Sequence, residues 1–362
     1  MTGSSAAVVD LDDGEALLAA DRDGLLRAAA MAGAQVRATA AALDEGLLES
    51  LRSGQPPRTV IWVAGRGTAE TAGAVLAAAF GAVVAAPIVT VAEAPPWIGA
   101  LDAIVVAGDD PADPALVSAA ATGVRRGARV VVVAPYEGPL RDATAGRAVA
   151  LAPRLWVPDD FGLSRYLAAG LAVLQVVDPG LRVDLGELAD QLDAEALRNS
   201  AGRDLFTNPA KALADRIWGR DVVLAGDDAT TLALARHGAA VLLRVAQETV
   251  TAVGLGDVLR ALRSGFGSAG DGTAGAALFH DEELDGPLPR RLRTLVLTTD
   301  AESPTVTARV SGYDDVDVVN AEDVPDGSEP GGAATGAGVE QQLAKLAVRL
   351  EMTAVYLRLV RG

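Results

Sequence analysis

The sequence predicts an α/β protein: two doubly wound α/β/α lobes with mainly parallel sheets and a long C-terminal helix. Three observations carry this. Short apolar runs such as TVIWVA, DAIVVAG and ARVVVVAP are continuous rather than alternating, the pattern of parallel strands covered on both faces. Alanine-rich stretches of helical length separate them, which gives βαβ order. Strand, glycine turn, threonine and alanine-rich helix occur in that order twice, as TVIWVAGRG with TAETAGAVL and as DVVLAGDD with TTLALARHG.

Taken in order, TVIWVA leads into a helix over 70–80 and then a strand in AVVAAPIVTV. DAIVVAG leads into a helix over Pro114–Arg126 and then the strand ARVVVVAP. Helical spacing over 162–177 closes this lobe, and Asp178-Pro179-Gly180 marks a break. Residues 1–180 are therefore expected to form the first lobe, with N-terminal helices, and 181–362 the second. In the second half DVVLAGDD, TLVLTTD and DDVDVVN read as strands. The Gly- and Pro-rich DVPDGSEPGGAATGAG reads as a mobile loop. The helix expected over 339–360 places Leu343, Leu346, Leu350 and Leu357 on one face. The apolar helices 163–177 and 339–360 carry more apolar surface than two small lobes are expected to bury, which predicts a homodimer.

Bulk properties narrow the function. A chain of 362 residues suggests about two domains. No apolar run reaches the roughly 18 residues of a membrane span. The acidic start MTGSSAAVVDLDDGE lacks the layout of a signal peptide, so a cytoplasmic location is expected. The formal charge of −17 argues against nucleic acid and anionic membranes as partners. With no cysteine there is no disulfide, thiolate site or cysteine nucleophile. Only two lysines occur, Lys211 and Lys345, against many arginines, a bias that a GC-rich genome explains.

Most catalytic motifs are missing. GRGTAET is neither a dinucleotide fingerprint with a matching ribose acid nor a phosphate-binding loop ending in Gly-Lys-Ser/Thr. No His- or Cys-rich string suggests a metal, and Ser118, Ser164 and Ser264 lack a nucleophile-elbow context. Neither a metal nor a cofactor is expected.

One resemblance is informative. The two-lobe plan, the glycine turn after the first strand, the ending AVYLRLVRG and the string NPAKALADRIWGRDVVLAG resemble the bifunctional phosphoglucose/phosphomannose isomerases. Those proteins carry two sugar-isomerase (SIS) domains and typically show NPAK, a helix, and then a strand ending in glycine. Both lysines fall in family-like strings, NPAK and LAKL, so the resemblance puts Lys345 among the ligand-binding candidates. It implies a sugar or sugar-phosphate ligand, aldose–ketose isomerisation of a hexose phosphate, and a homodimer with ligand clefts near the subunit boundary.

The family's first turn, GMGGS, brings backbone amides to the sugar phosphate. Aligned without gaps, Gly65 and Gly67 match its first and third positions, while Thr68 and Ala69 replace the glycine and serine that follow. Helix N-terminal amides with Arg66 could still hold an anion; otherwise this is a plain strand-to-helix turn with an exposed Arg66. The family's second phosphate element is S-x-S-G-N-T-E-E after the third strand. Here the same place reads IVVAGDDPADPAL, with Asp109 at the second serine and Asp110 at the glycine. Two like charges about 4 Å apart repel by about 4 kcal/mol at an effective dielectric near 20, more than two or three neutral hydrogen bonds return. A phosphate is thus disfavoured. Asp109 and Asp110 then form a solvated loop, bind a polar sugar or amine, or take a metal with few other ligands.

Isomerisation needs a carboxylate to move a proton between C1 and C2, and the family adds a histidine for ring opening. Matching Gly226 and Arg236 to the family puts Leu243 at the position of its glutamate. Glu248 is the nearest carboxylate and is the catalytic candidate if the helix register shifts; otherwise it is a surface residue. The family's N-H-N-E string has no match. His280, in LFHDEEL, is the remaining histidine candidate, although neighbouring carboxylates would raise its pKa and favour a structural pairing. His237 is expected to cap a helix beside Gly238. Two readings follow. One is an isomerase-type protein with impaired or relocated chemistry; the alternative is a catalytically silent sugar-binding or regulatory protein.

Overall fold

The computed structural model describes residues 9–52, 55–264, 292–322 and 338–361. Helices α1 (Gly14–Ala20), α2 (Leu25–Ala29) and α3 (Ala32–Asp44) come first. The first sheet region follows with β1 (Val60–Val63), α4 (Gly67–Phe80), β2 (Ile88–Val91), β3 (Ala103–Ala107), α5 (Pro114–Arg126), β4 (Arg129–Val133), α6 (Gly138–Thr144) and β5 (Val149–Ala150). Helices α7 (Leu163–Val177), α8 (Leu185–Arg198) and α9 (Pro209–Ile217) lead to the second region. That region contains β6 (Asp221–Gly226), α10 (Ala229–Ala246), β7 (Thr251–Gly254), α11 (Leu255–Arg263), β8 (Leu292–Leu297), α12 (Ser303–Val310) and β9 (Val316–Val319). The long helix α13 (Val339–Arg361) completes the fold.

Both sheets are parallel throughout, in the orders β2-β1-β3-β4-β5 and β7-β6-β8-β9. In each, the first strand lies inside the sheet, and the chain runs to one side of it and then to the other. This creates a switch point between β1 and β3 and another between β6 and β8, where doubly wound sheets bind ligands. Alternate residues of β1 explain the continuous apolar run. Val60 and Trp62 face the core shared by both sheets, while Ile61 and Val63 face a second core under α5 and α6. Strand β6 divides in the same way, Val222 and Leu224 against Val223 and Ala225.

Local signals account for the helix ends. Asp113 caps α5 by accepting from Ala115 N at 2.8 Å, Pro114 opens it, and Gly127 ends it in the left-handed conformation. In the NPAK string, Asn208 caps α9 through Lys211 N at 3.0 Å, and Pro209 occupies the first turn. The fully buried Lys211 donates from Nζ to the carbonyls of Ala201 (2.8 Å) and Arg203 (2.7 Å) and lies over the Tyr356 ring. NPAK thus clamps the segment before α9, and its lysine is consumed by backbone.

Three expectations change. In AVVAAPIVTV only Ile88–Val91 forms a strand. Helix α10 does not stop at His237: it continues to Ala246, because Gly238 there serves packing, not termination. A Cβ on Gly238 would lie 3.0 Å from Leu224 and 3.2 Å from Leu350, so its absence lets α10 approach β6 and α13. The third change concerns the apolar helices. Thirteen of the 15 residues of α7 and 18 of the 23 in α13 are buried within this single chain, so neither offers an apolar face to a second copy. The leucine stripe of α13 is buried as expected, but its other sides are covered too, by α8, α9, α10 and the N-terminal helices. The segment read as a mobile loop, 323–338, lies outside the described residues apart from its last glycine, Gly338.

Candidate functional site

The carboxyl end of β1 opens into Gly65, Arg66 and Gly67. Gly67 has φ +66°, a conformation that favours glycine, and it starts α4. The next residue, Thr68, is buried, and its hydroxyl donates to Asp159, at 3.1 Å to Oδ1 and 3.2 Å to the backbone oxygen. Asp159 belongs to a single 3-10 turn, Asp159–Phe161, just before α7, and its Oδ1 also accepts from Tyr166 at 3.3 Å. Its Oδ2 lies 3.1 Å from where a Cβ on Gly67 would stand. The first turn of α4, where helix amides favour an anion, therefore already has a carboxylate of the chain beside it. Gly73, further along α4, is needed for packing: a Cβ there would fall 2.3 Å from Trp62 Cδ1.

Across the switch point, Arg66 Nη2 lies 3.7 Å from Asp109 Oδ1, 3.7 Å from Asp110 Oδ2 and 3.6 Å from Asp113 Oδ2. Such exposed, long pairs contribute little to stability. They nevertheless surround the guanidinium of this turn with three carboxylates, two of which have further local duties. Asp110 accepts from Ala112 N, and Asp113 caps α5. Burial, and secondarily the charge of Asp109, pushes Asp159 above the usual carboxylate range; the Thr68 hydroxyl, Arg165 and Tyr166 oppose this. Next to it, Asp160 pairs with Arg244 of α10 at 2.5 Å and so joins the turn to the second lobe.

The second lobe repeats the acidic arrangement. Asp228 and Thr231 form a reciprocal capping box on α10, and Asp227 accepts from the hydroxyls of Thr231 (2.7 Å) and Thr298 (3.0 Å). Beyond β8, the Asp300 amide donates to Gln342, and burial together with Glu322 raises the Asp300 pKa against the pull of Lys345. Lys345 itself donates to Glu322 at 3.0 Å.

The predicted residues therefore separate. Gly65, Arg66, Gly67, Thr68, Asp109 and Asp110 come together at the first switch point, with Thr68 turned inward. Lys345 belongs to the second-lobe cluster. Helix α10 is continuous through Leu243, which is exposed, and Glu248 lies beyond the helix end. Glu248 is buried in an ion pair with Arg361, which also donates to the carbonyls of Ala246 and Gln247 and lies over Trp218. His280 lies outside the described residues. Among the described residues, no group of three or more His, Cys, Asp or Glu could hold a metal ion, and no helix is long and apolar enough to cross a membrane.

Two features escape the sequence reading. Asp159-Asp160 could have been noticed as a charged pair shortly before a helix, much as Asp227-Asp228 precedes α10. The other has no local signal: His237 Nε2 lies 3.0 Å from Glu351 Oε1, and both side chains are about 1% exposed. Burial raises the pKa of Glu351 and His237 opposes it, with Asp160 and Asp159 adding to the rise. Glu351 Oε2 has no hydrogen-bond partner among the described residues. A histidine–carboxylate pair has the chemistry to move protons, but here it is sealed between α10 and α13.

No family model matches the chain, and no curated protein matches it. Solved structures do. Tagatose-6-phosphate ketose/aldose isomerase from Escherichia coli aligns with TM-score 0.57 at 14% identity, covering 93% of this chain and 90% of that one. The C-terminal domain of glucosamine-fructose-6-phosphate aminotransferase from Francisella tularensis aligns with TM-score 0.59 at 10% identity, over 94% and 98%. A glucose-6-phosphate isomerase like protein from Thermus thermophilus aligns with TM-score 0.53 at 19% identity, over 98% and 96%. At these identities the likeness is one of fold, and it runs over nearly the whole of each chain.

Proposed function

We propose that this chain is a SIS-fold protein of the phosphoglucose/phosphomannose isomerase type that binds a carbohydrate derivative at the β1–β3 switch point, with hexose-phosphate isomerisation impaired. The fold likeness to structures named as sugar-phosphate isomerases supports the class of ligand. The observation that carries the impairment is the Asp159 carboxylate beside the first turn of α4, facing an Arg66 already surrounded by Asp109, Asp110 and Asp113. A phosphate dianion entering there meets like charge on both sides, and Leu243 leaves the base position without a proton acceptor. A neutral or amino-bearing sugar meets no such repulsion. The proposal includes the division near residue 180, a cytoplasmic location, no cofactor, and a homodimer. The homodimer rests on the family resemblance alone, because α7 and α13 are buried within one chain. Light scattering at micromolar concentration would read its mass, and a monomer mass would remove the dimer.

Coupled isomerase turnover and calorimetric titration with fructose 6-phosphate test the reading. Wild type is expected to give neither measurable turnover nor binding. Asp159→Asn combined with Asp109→Ser and Asp110→Gly removes three negative charges, leaves an amide to accept from Thr68, and is expected to gain binding. Turnover by wild type that disappears in Arg66→Ala would sink the proposal, because a guanidinium can hold phosphate through two parallel hydrogen bonds.

A further inference from the structure

The first sheet has an edge that the described residues leave bare. Strand β2 pairs only with β1, in parallel. Val60 N donates to the Pro87 carbonyl and Ala64 N to the Val91 carbonyl, so residues 87, 89 and 91 turn their backbone groups toward β1. By alternation Ile88, Thr90 and Ala92 turn theirs outward. Among the described residues none of those amides or carbonyls has a hydrogen-bond partner.

Sheet edges are usually blunted by charge, proline or a bulge. β9 is blunted by charge: Asp314 and Asp315 precede it and Asp317 stands within it. β2 is not. Between Glu70 and Asp102 the only charged residue is Glu93. Within 81–101 only Ala86 and Ile98 are buried. The connection from β2 to β3 returns over one face of the sheet, where Ala94 and Ile98 join the core under α5 and α6, and it leaves Trp97 and Leu101 exposed. Val83, just past the end of α4, is two-thirds exposed. A contiguous apolar surface of this kind marks a protein–protein contact.

We propose that two copies of this chain pair their β2 edges, antiparallel, across a two-fold axis at Thr90. The proposal rests on the homodimer reading and supplies the face that α7 and α13 do not. Three observations select a second copy as the occupant. First, the outward set is symmetric about Thr90. A second copy of the edge therefore sets Thr90 opposite Thr90 and Ile88 opposite Ala92, each pair exchanging both backbone hydrogen bonds. Second, the formal charge of −17 makes two copies repel, and this nearly uncharged stretch lets them meet with least repulsion. Third, its nineteen exposed or half-exposed residues approach the roughly 20–30 per side of a standard interface. A basic partner would need carboxylates here, and Glu93 is the only one.

The chain has no cysteine, so Thr90→Cys introduces a single thiol. Directly opposed residues of a hydrogen-bonded antiparallel pair have Cα atoms about 5.5 Å apart, within the span of a disulfide. Under mild oxidation Thr90→Cys is expected to form a covalent dimer about tenfold faster, or more, than Leu197→Cys, an exposed position on α8. Light scattering of wild type at micromolar concentration is expected to give the dimer mass. Thr90→Lys brings two like charges together on the axis and should weaken the dimer about tenfold or more. Thr90→Pro removes the outward amide, leaves the β1 ladder intact, and should do the same. Wild type at the monomer mass would overturn the proposal and the homodimer together. A dimer that survives both substitutions, or equal crosslinking at 90 and 197, would overturn this face and leave the homodimer standing. If either substitution unfolds the chain, the crosslinking comparison decides. Titration with fructose 6-phosphate reports on the β1–β3 cleft, so the two readings fail separately.

Discussion

Arg349→Met is expected to lower the stability of the fold by about 3–5 kcal/mol, the usual result of removing one partner from a buried ion pair. Arg349 is fully buried on α13. Its Nε donates to Glu195 Oε1 at 2.9 Å, Nη1 to the Asn320 carbonyl at 2.7 Å and Nη2 to the Ala321 carbonyl at 2.8 Å. One side chain thus ties α13 to α8 and to the segment after β9. Methionine fills similar volume but strands the Glu195 carboxylate, which is also fully buried and keeps Asn199 Nδ2 at 2.7 Å and, more distantly, Arg198 at 3.6 Å. The stranded charge makes the effect large, so Arg349→Met with Glu195→Leu should recover much of the loss. Urea unfolding with an unchanged m-value is the measurement. A loss below about 1 kcal/mol in the single variant would mean the pair is not buried as described.

The second large effect is expected at Gly226, where alanine should cost about 3 kcal/mol or more. The reason is space, not backbone conformation. A Cβ at Gly226 would lie 2.1 Å from Leu232 N, 2.4 Å from Leu232 Cα and 2.6 Å from Thr231 C. These are backbone atoms of the first turns of α10, so no side-chain rotation relieves the clash; the helix must move off the strand. Gly65 provides the contrast. It ends the corresponding strand region in the first lobe, but its nearest neighbour to an added Cβ is Ala92 at 3.7 Å, an ordinary contact. Gly65→Ala should stay within about 0.5 kcal/mol of wild type. Thermal unfolding of the two variants side by side checks this. Equal midpoints would show that α10 does not approach β6 as closely as this geometry requires.

The contrast also divides what was legible in the sequence from what was not. Alone, the sequence determined the parallel α/β class, the two-fold repeat of strand, glycine turn and helix, and helix α5 from Pro114 to Arg126. Those features depend on short-range causes: continuous apolar runs covered on two faces, a capping aspartate before proline, and a glycine after the last turn. It also placed the glycine turn before Thr68 and the pair Asp109-Asp110 after the third apolar run. Only the tertiary structure decided what faces them. Asp159 reaches Thr68 across 91 positions, Arg349 reaches Glu195 across 154, and Glu351 reaches His237 across 114. No periodicity or cap records such pairings, because each depends on how whole helices stack. The same limit explains the apolar helices α7 and α13: hydrophobicity requires that a face be covered, while the packing of the chain decides whether its own elements or another molecule cover it. Here α4, α8, α9 and α10 lie against them, so the surface that suggested a partner is core.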